Sequence, residues 1–510
     1  MSQFLSDDRI PVIIGVADVI DRPARLEQAL EPIALMEQAL RAAAQDSGAR
    51  AGLFGELDVL YVVCEVSWPY DDAPGVLASR LGADPATRVL GPVGGESPIR
   101  FLHESALAIA RGECRVAAVV GAESQYSLNN AIKAGVTLAW SPRSDAPPAG
   151  RSRDKQHPLA LALGIAQPTT VYALYENAAP VSWGQTPAQS QQESAEIWSA
   201  FSRVAADTPT AWSRVAYTPQ QVAEPDAANR LIAWPYTKRM VANPAVNQGA
   251  GILLASLAWA REHGVDPARC LRVLGGAAAD EPDDYLQRDH FHGTASQRVV
   301  LETMAQMAGG IDEVDAIELY SCFPIVPKMA RRVLNPPPSL PLTTIGGLSF
   351  FGAPLNNYMT HAVCGMARRL RGHERGLGLL YGQGGLATKH HGLLVASVRD
   401  PRVAGLAALR DDYSRQAQAD RLRGPAPGLH DDHEGPASVE TYTVIFDRAG
   451  RAESAAVIGR IDDGRRVVAR VGGDDAATIA ALMDRERSSV GRLGRVRRGD
   501  GALPEWRFQG

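Results

Sequence analysis

Three glycine-rich turns in the 510-residue sequence have the composition that lets a backbone pass close to a ligand: Gly91–Arg100 (GPVGGESPIR), Ile345–Tyr358 (IGGLSFFGAPLNNY) and Tyr381–Ala387 (YGQGGLA). In the first, Ser97 followed by Pro98 reads as an N-cap and first helical turn, and Ile99, Leu102, Ala106 and Ile109 form an apolar stripe behind it. A helix begun there aims free N–H groups and a positive dipole end at whatever occupies the site. Gly94, Gly95 and Ser97 of this turn, with Gly384 and Gly385 of the third, are therefore candidates for binding through the backbone. Glycines in such turns also serve packing alone. Beside the turns stand Tyr320 at a strand end, Cys322 two residues on, Tyr358 with His361 one helical turn later, and the pair His390–His391. Tyr320 and Cys322 can each pass a proton; each also fits a bland place in a core, as a bonded phenol and a small apolar thiol. Tyr358 and His361 share a helix face that packing alone would explain. Strand alternation lets at most one of the two histidines face a site, and His390 is the candidate.

The elements that position these residues follow from periodicity. Up to about residue 125, short β-branched runs (Pro11–Gly15, Val59–Val66, Cys114–Gly121) alternate with helical patterns (Ala34–Ala44, Pro98–Arg111), the texture of β-α-β units and of a largely parallel sheet covered on both faces. The alternation returns with Cys270–Gly275, Ser296–Met307, Asp315–Tyr320, Asn357–Leu370, Gly376–Tyr381 and Gly392–Val398, so two similar α/β halves are expected. The first half takes residues 1–125 and 245–265, the second 266–400, and 126–244 form an inserted loop domain with a polar stretch, Ser141–Pro158, and a Gln- and Ser-rich helix around Ala188–Ala206. Residues 401–436 read as a linker. Residues 437–510 read as a small β-rich, OB-like domain of short strands between Gly/Asp turns.

Composition sets the outer limits. Hydrophobic residues make up 45% and charged residues 21% of the chain, enough for a large core. The formal net charge is −5, which argues against a nucleic-acid or anionic-membrane binder, and the basic cluster Arg492, Arg495, Arg497 and Arg498 is too short a run to change that. No apolar run approaches the roughly 18 residues that cross a bilayer. Met1–Asp8 has no basic-then-apolar leader pattern, and the five scattered cysteines (Cys64, Cys114, Cys270, Cys322, Cys364) have no C-x-x-C spacing, so reduced thiols in a cytoplasm and no metal site are expected.

In order, the motifs resemble those of the thiolase superfamily over residues 10–400. Ala108–Ser124 resembles the thiolase run that ends in Gly-Gly-Met-Glu-Ser, and Asn243–Ala250 the Asn-Asp-Gly-Ala segment. Ile317–Phe323 stands for the Asn-Glu-Ala-Phe motif, Gly346–Pro354 for Gly-Gly…Gly-His-Pro, and Tyr381–Ala387 for Cys-x-Gly-Gly-Gly. The pattern Tyr320–Pro324, Phe350–Tyr358 and Thr388–His390 is similar to thiolase-like proteins of type one, which resemble sterol-carrier-protein-type thiolases and carry an extra C-terminal β domain.

The resemblance implies a thiolase fold of layers α-β-α-β-α and a protein that handles acyl-CoA thioesters, nominally an acetyl-CoA acetyltransferase of lipid metabolism. Coenzyme A would arrive as part of the substrate, with no separate cofactor, and the protein would be a homodimer or a monomer. It also implies a loss. The nucleophilic cysteine falls on Gly95, the Gly-His-Pro histidine on Ala353, the motif asparagine on Tyr320, and the last-loop cysteine on Tyr381 or Gly382. Glycine cannot be acylated, so acetyl transfer through an acyl-cysteine is not expected at this site. Cys322 matches the proton-transfer cysteine of sterol-carrier-protein-type thiolases, and Tyr320 the tyrosine of steroid side-chain aldolases. The expected catalytic set is Tyr320, Cys322, Tyr358 and His390. Gly94, Gly95, Ser97, Asn247, Gly384 and Gly385 would hold the substrate, and Lys238 and Arg239 would meet CoA phosphates. The alternative is a non-catalytic CoA-binding or partner protein.

Overall fold

The computed structural model describes residues 6–404, 406, 409–498 and 503–509. Residues 1–5 of the N-terminal segment, parts of the 401–436 linker and the end of the C-terminal domain lie outside that range. Before the insert come strands β1 (Pro11–Ile20), β2 (Val59–Val62), β3 (Thr87–Leu90) and β4 (Val116–Ser124). The insert holds β5 (Leu231–Ala233) and β6 (Tyr236–Thr237), and β7 (Asn247–Ser256) completes the first half. The second half has β8 (Leu271–Asp280), β9 (Ala316–Leu319), β10 (Leu377–Gly384) and β11 (Lys389–Ser397). The C-terminal domain has β12 (Gly435–Phe446), β13 (Ala452–Arg460), β14 (Arg466–Gly472), β15 (Leu493–Arg498) and β16 (Pro504–Phe508).

Nine strands form one sheet in the order β3-β2-β4-β7-β1-β8-β11-β10-β9. The two halves repeat one pattern. β2 lies parallel to β4, which runs antiparallel to β7, which runs antiparallel to β1. Likewise β9 lies parallel to β10, which runs antiparallel to β11, which runs antiparallel to β8. The halves join where β1 meets β8 at Val12 and Ile13. The duplicated α/β organisation is thus present, but the sheet is mixed rather than largely parallel. Mainly apolar strands such as β4 and β7, buried along their whole length, report cover on both faces. They do not report direction, which the long insert and the β10–β11 turn set by returning the chain antiparallel. The helices Ser97–Arg111 and Tyr358–Leu370 pack on each other and on strands of both halves, forming the central layer. Among the described residues no helix is long and apolar enough to cross a membrane.

The C-terminal strands close on themselves in the ring β12-β13-β14-β16-β15-β12, with the helix Ala476–Leu482 between β14 and β15 in the chain, a five-stranded Greek-key barrel of the OB type. The insert joins it: β5 pairs with β12 at Ala233–Ile445, and β6 pairs with β5. Insert and tail therefore share one sheet. Arg466, fully buried, fastens the barrel to the second half by donating to the carbonyls of Leu286 and Arg288 while its other nitrogens hold Glu440.

The insert's helix Pro168–Ser182 lies between the barrel and the second half, and every residue from Thr170 to Pro180 is buried. Its Glu176 pairs with Lys328, which also donates to Ser190 Oγ at 2.7 Å and Ser194 Oγ at 3.1 Å; both charged side chains are almost fully enclosed. Removing one partner strands the other charge. Lys328→Met should lower stability by roughly 3–5 kcal/mol, and adding Glu176→Gln should restore most of it. Denaturant unfolding of the two variants checks this; equal stability of Lys328→Met and wild type would show that Glu176 finds water or a proton instead.

Candidate active site

The three glycine-rich turns converge at the C-terminal ends of β9 and β10, where the strands deliver Tyr320 and Gln383. A β-carbon built on Gly95 would lie 2.3 Å from Tyr320 Oη and 2.6 Å from the carbonyl oxygen of Gln383. The Tyr320 hydroxyl thus occupies the space a side chain at 95 would need. Tyr320 and Cys322 are each 7% exposed. Burial pushes the Cys322 thiol up to about 12 and the Tyr320 phenol well above its ordinary value, so both are neutral proton carriers near pH 7.

A side chain from the insert completes the arrangement. Tyr172 stacks on Phe323 at 4.7 Å, and its hydroxyl accepts from Gln383 Nε2 at 2.7 Å and from the Ala387 amide at 2.9 Å, while donating to the carbonyl of Gly385 at 3.2 Å. The Cys322 thiol points at Gln383 Oε1, 4.0 Å away. Ala387 is held at φ 57, a left-handed conformation uncommon outside glycine, by this bond and by Arg288, which donates to the carbonyls of Leu386 and Ala387. Because Arg466 holds the Arg288 carbonyl, barrel and third turn are linked through two arginines.

The amides of the first turn are partly spent. Gly94 N–H donates to Asn356 Oδ1 at 3.0 Å, and Ser97 N–H and Oγ both return to the Gly94 carbonyl. Ser97 is the first helical residue, not the cap; Glu96 takes the cap position. Among the described residues, the amides of Gly95 and Gly385 have no protein acceptor. Gly384 lies in the β10–β11 ladder opposite Lys389.

The other expected residues are placed elsewhere. Tyr358 touches Tyr320 edge-on at 5.9 Å but gives its hydroxyl proton to Glu318 at 2.7 Å. Glu318, fully buried, also accepts from the Thr344 amide and the hydroxyls of Thr343 and Thr344, tying the second turn to β9. His390 Nε2 donates to the Ala387 carbonyl at 3.1 Å, which leaves Nδ1 to accept from Tyr381 Oη at 2.6 Å; burial lowers its basicity to about 4. His391, on the opposite face, is equally buried and meets His103 at 3.0 Å, because both faces of β11 are interior. Asn247 spends its amide on Ser127, whose N–H it accepts at 3.1 Å and whose Oγ it reaches at 2.7 Å. Arg239 pairs with Asp226 at 3.0 Å and stacks on Tyr217, while Lys238 is exposed. Tyr172, Gln383, Glu318 and Glu96 are the participants the motifs did not single out. Gln383 lay inside a recognised turn, whereas Tyr172 carried no signal beyond membership of the insert.

The repeated strand order and the three converging turns define a thiolase fold, and solved structures agree. The human mitochondrial 3-ketoacyl-CoA thiolase is 15% identical with a TM-score of 0.56, covering 77% of this chain and 100% of its own. An Ltp2-ChsH2(DUF35) aldolase is 16% identical with a TM-score of 0.58, covering 77% of this chain and 99% of its own. Across 98% of this chain and 99% of its own, the monomeric SCP2-thiolase like protein type 1 of Mycobacterium smegmatis is 26% identical with a TM-score of 0.81. Residues 418–501 match the thiolase-like protein type 1 additional C-terminal domain. No curated protein matches the chain in sequence. The likeness to thiolase-like proteins of type 1 carried by the motifs is thus borne out in both the thiolase halves and the added domain.

Two consequences of this packing can be measured. Gly95→Cys should cost about 1–3 kcal/mol of stability, as overpacking does, and Tyr320→Ala in the same chain should return part of it. An equal cost with and without Tyr320 would assign the clash to the Gln383 backbone alone. Burial holds His103 down to about 4 and His391 well below the ordinary histidine value. The unfolded chain therefore takes up these protons first, and stability is lost as pH falls from about 6.5 toward 4. Glu65 and Glu123, raised by burial to about 7 and about 8, act in the opposite sense, so the informative quantity is a difference. Over that range the stability of His103→Asn should fall less steeply than wild type, by about 1.4 kcal/mol per pH unit, one proton's worth. Parallel curves would refute the assignment.

Proposed function

We propose that this chain binds acyl-CoA thioesters where the three turns meet and makes or breaks a carbon–carbon bond beside the thioester carbonyl, without an acyl-cysteine intermediate. The observation that carries the reading is the Tyr320 hydroxyl standing in the space of a side chain at Gly95. A proton donor takes the place where the thiolase likeness puts a nucleophile. Tyr320 and Cys322, both neutral, move the proton, and the amides of Gly95 and Gly385 are the free donors for an enolate oxygen. The aldolase among the structural relatives supports lyase chemistry, and the thiolases support a CoA thioester as its substrate. The likeness to the Mycobacterium smegmatis protein favours a monomer over a homodimer. We place the protein in a reducing cytoplasm, where its five free cysteines stay thiols.

A non-catalytic CoA-binding or partner protein is the rival, and one observation favours it: the polar groups beside the third turn are already satisfied inside the protein, Gln383 by Tyr172, the Ala387 amide by Tyr172, and His390 by Tyr381 and the Ala387 carbonyl. Turnover of β-hydroxyacyl- and β-ketoacyl-CoA esters separates the two. Tyr320→Phe and Cys322→Ala should each lower kcat by about 10²–10⁴-fold with CoA binding retained, the range of a lost acid–base group. No wild-type turnover on any ester, with CoA still bound, would establish the rival. An acyl adduct on Cys322 after mixing with acetoacetyl-CoA would overturn the non-covalent mechanism.

A further inference from the structure

Glu96 follows Gly95 and caps the helix Ser97–Arg111, yet its side chain turns inward. It is 5% exposed, and its Oε2 has no hydrogen-bond partner among the described residues. Two glycines make room for it. A β-carbon on Gly384 would lie 1.9 Å from Oε2, and one on Gly94 would lie 2.5 Å from it. The first and third turns therefore form a cradle around a carboxyl group beside Gly95, where the Tyr320 hydroxyl also ends. A buried carboxyl oxygen left without a partner is costly, and such groups persist where they have work to do. Burial raises its pKa above the ordinary carboxylate value, against the pull of Lys389. Lys389 itself donates to the Val93 carbonyl at 2.8 Å. Lys389, Arg100 and Asp280 are the charged groups whose fields reach Glu96. Tyr320 and Cys322 are acids too weak to be anionic near neutral pH, so a base is otherwise missing from the site.

We infer that the Glu96 carboxyl is the general base of this site, facing the acyl part of the thioester. The inference rests on the carbon–carbon bond reading above and supplies its missing group. In the cleavage direction the carboxylate takes the proton of the β-hydroxyl. The freed electron pair forms the new carbonyl as the Cα–Cβ bond breaks, and that bond's pair is held as the thioester enolate. Tyr320 then gives its proton to carbon α and regains one from Glu96, so the ketone or aldehyde and the shortened acyl-CoA leave with every proton accounted for. No oxidant or co-reactant takes part.

Exchange of α-hydrogen for deuterium in acyl-CoA esters, followed by mass spectrometry in D2O, tests the step independently of the full reaction. Glu96→Gln keeps the shape and removes the base. It should slow exchange and turnover by at least about 100-fold, without loss of thermal stability or of CoA binding. Glu96→Asp, which draws the carboxyl back by one methylene, should recover part of the rate and shift the acidic limb of the pH–rate profile. Wild-type exchange that Glu96→Gln leaves within threefold, with an unchanged pH profile, would overturn the role of Glu96 and leave the carbon–carbon reading standing. No exchange and no turnover by wild type on any ester would remove both.

Discussion

A helix with no wet side must find a partner for every polar group it carries, and the helix Pro168–Ser182 sets that condition for this protein. Tyr172 and Tyr175 answer it by donating to carbonyls of the third turn, at Gly385 and Leu386. Glu176 answers it with Lys328 from the helix Ile325–Leu334. Asn177 answers it with the carbonyls of Trp234 and Tyr442, one on the insert and one on the barrel. Four requirements of this kind within six residues draw insert, barrel and second half onto one helix. The shape of the third turn then depends on contacts far outside the thiolase-like halves.

The same economy of space governs the site. Tyr320 and Gly95 are complementary, since the hydroxyl of one fills the room vacated by the side chain of the other. Glu96 stands to Gly94 and Gly384 in the same relation. A chain that replaces a nucleophile by glycine leaves a hole, and packing to native density requires that something else fill it. Here the filling groups are a phenol and a carboxyl, both able to move protons. Groups that can carry protons thereby gather at a position whose own residue, glycine, has no side chain.

Helices and strands were largely legible because burial on both faces and amphipathic stripes leave strong periodic marks; the helix Ser97–Arg111 and the strand after it are examples. Strand direction was not legible, because an apolar run reads alike either way. The union of insert and barrel rests on contacts across more than two hundred residues, the Ala233–Ile445 strand pairing and the bond from Asn177 to the Tyr442 carbonyl among them, which no local pattern encodes. Among site residues, Tyr320 and Cys322 stood out because they interrupt a motif. Tyr358 and His390 stood out for their type, yet the structure gives their polar atoms to Glu318, Tyr381 and Ala387.

By itself the sequence determined the duplicated α/β halves, the added β domain and the absence of a residue at 95 able to carry an acyl group. Composition, periodicity and the type of a single side chain are enough for each. Only the tertiary structure decided which groups replace it. The meeting of Tyr320, Gln383, Tyr172 and Glu96 depends on three turns and one inserted helix arriving at one point, and long-range packing writes no signature along the chain.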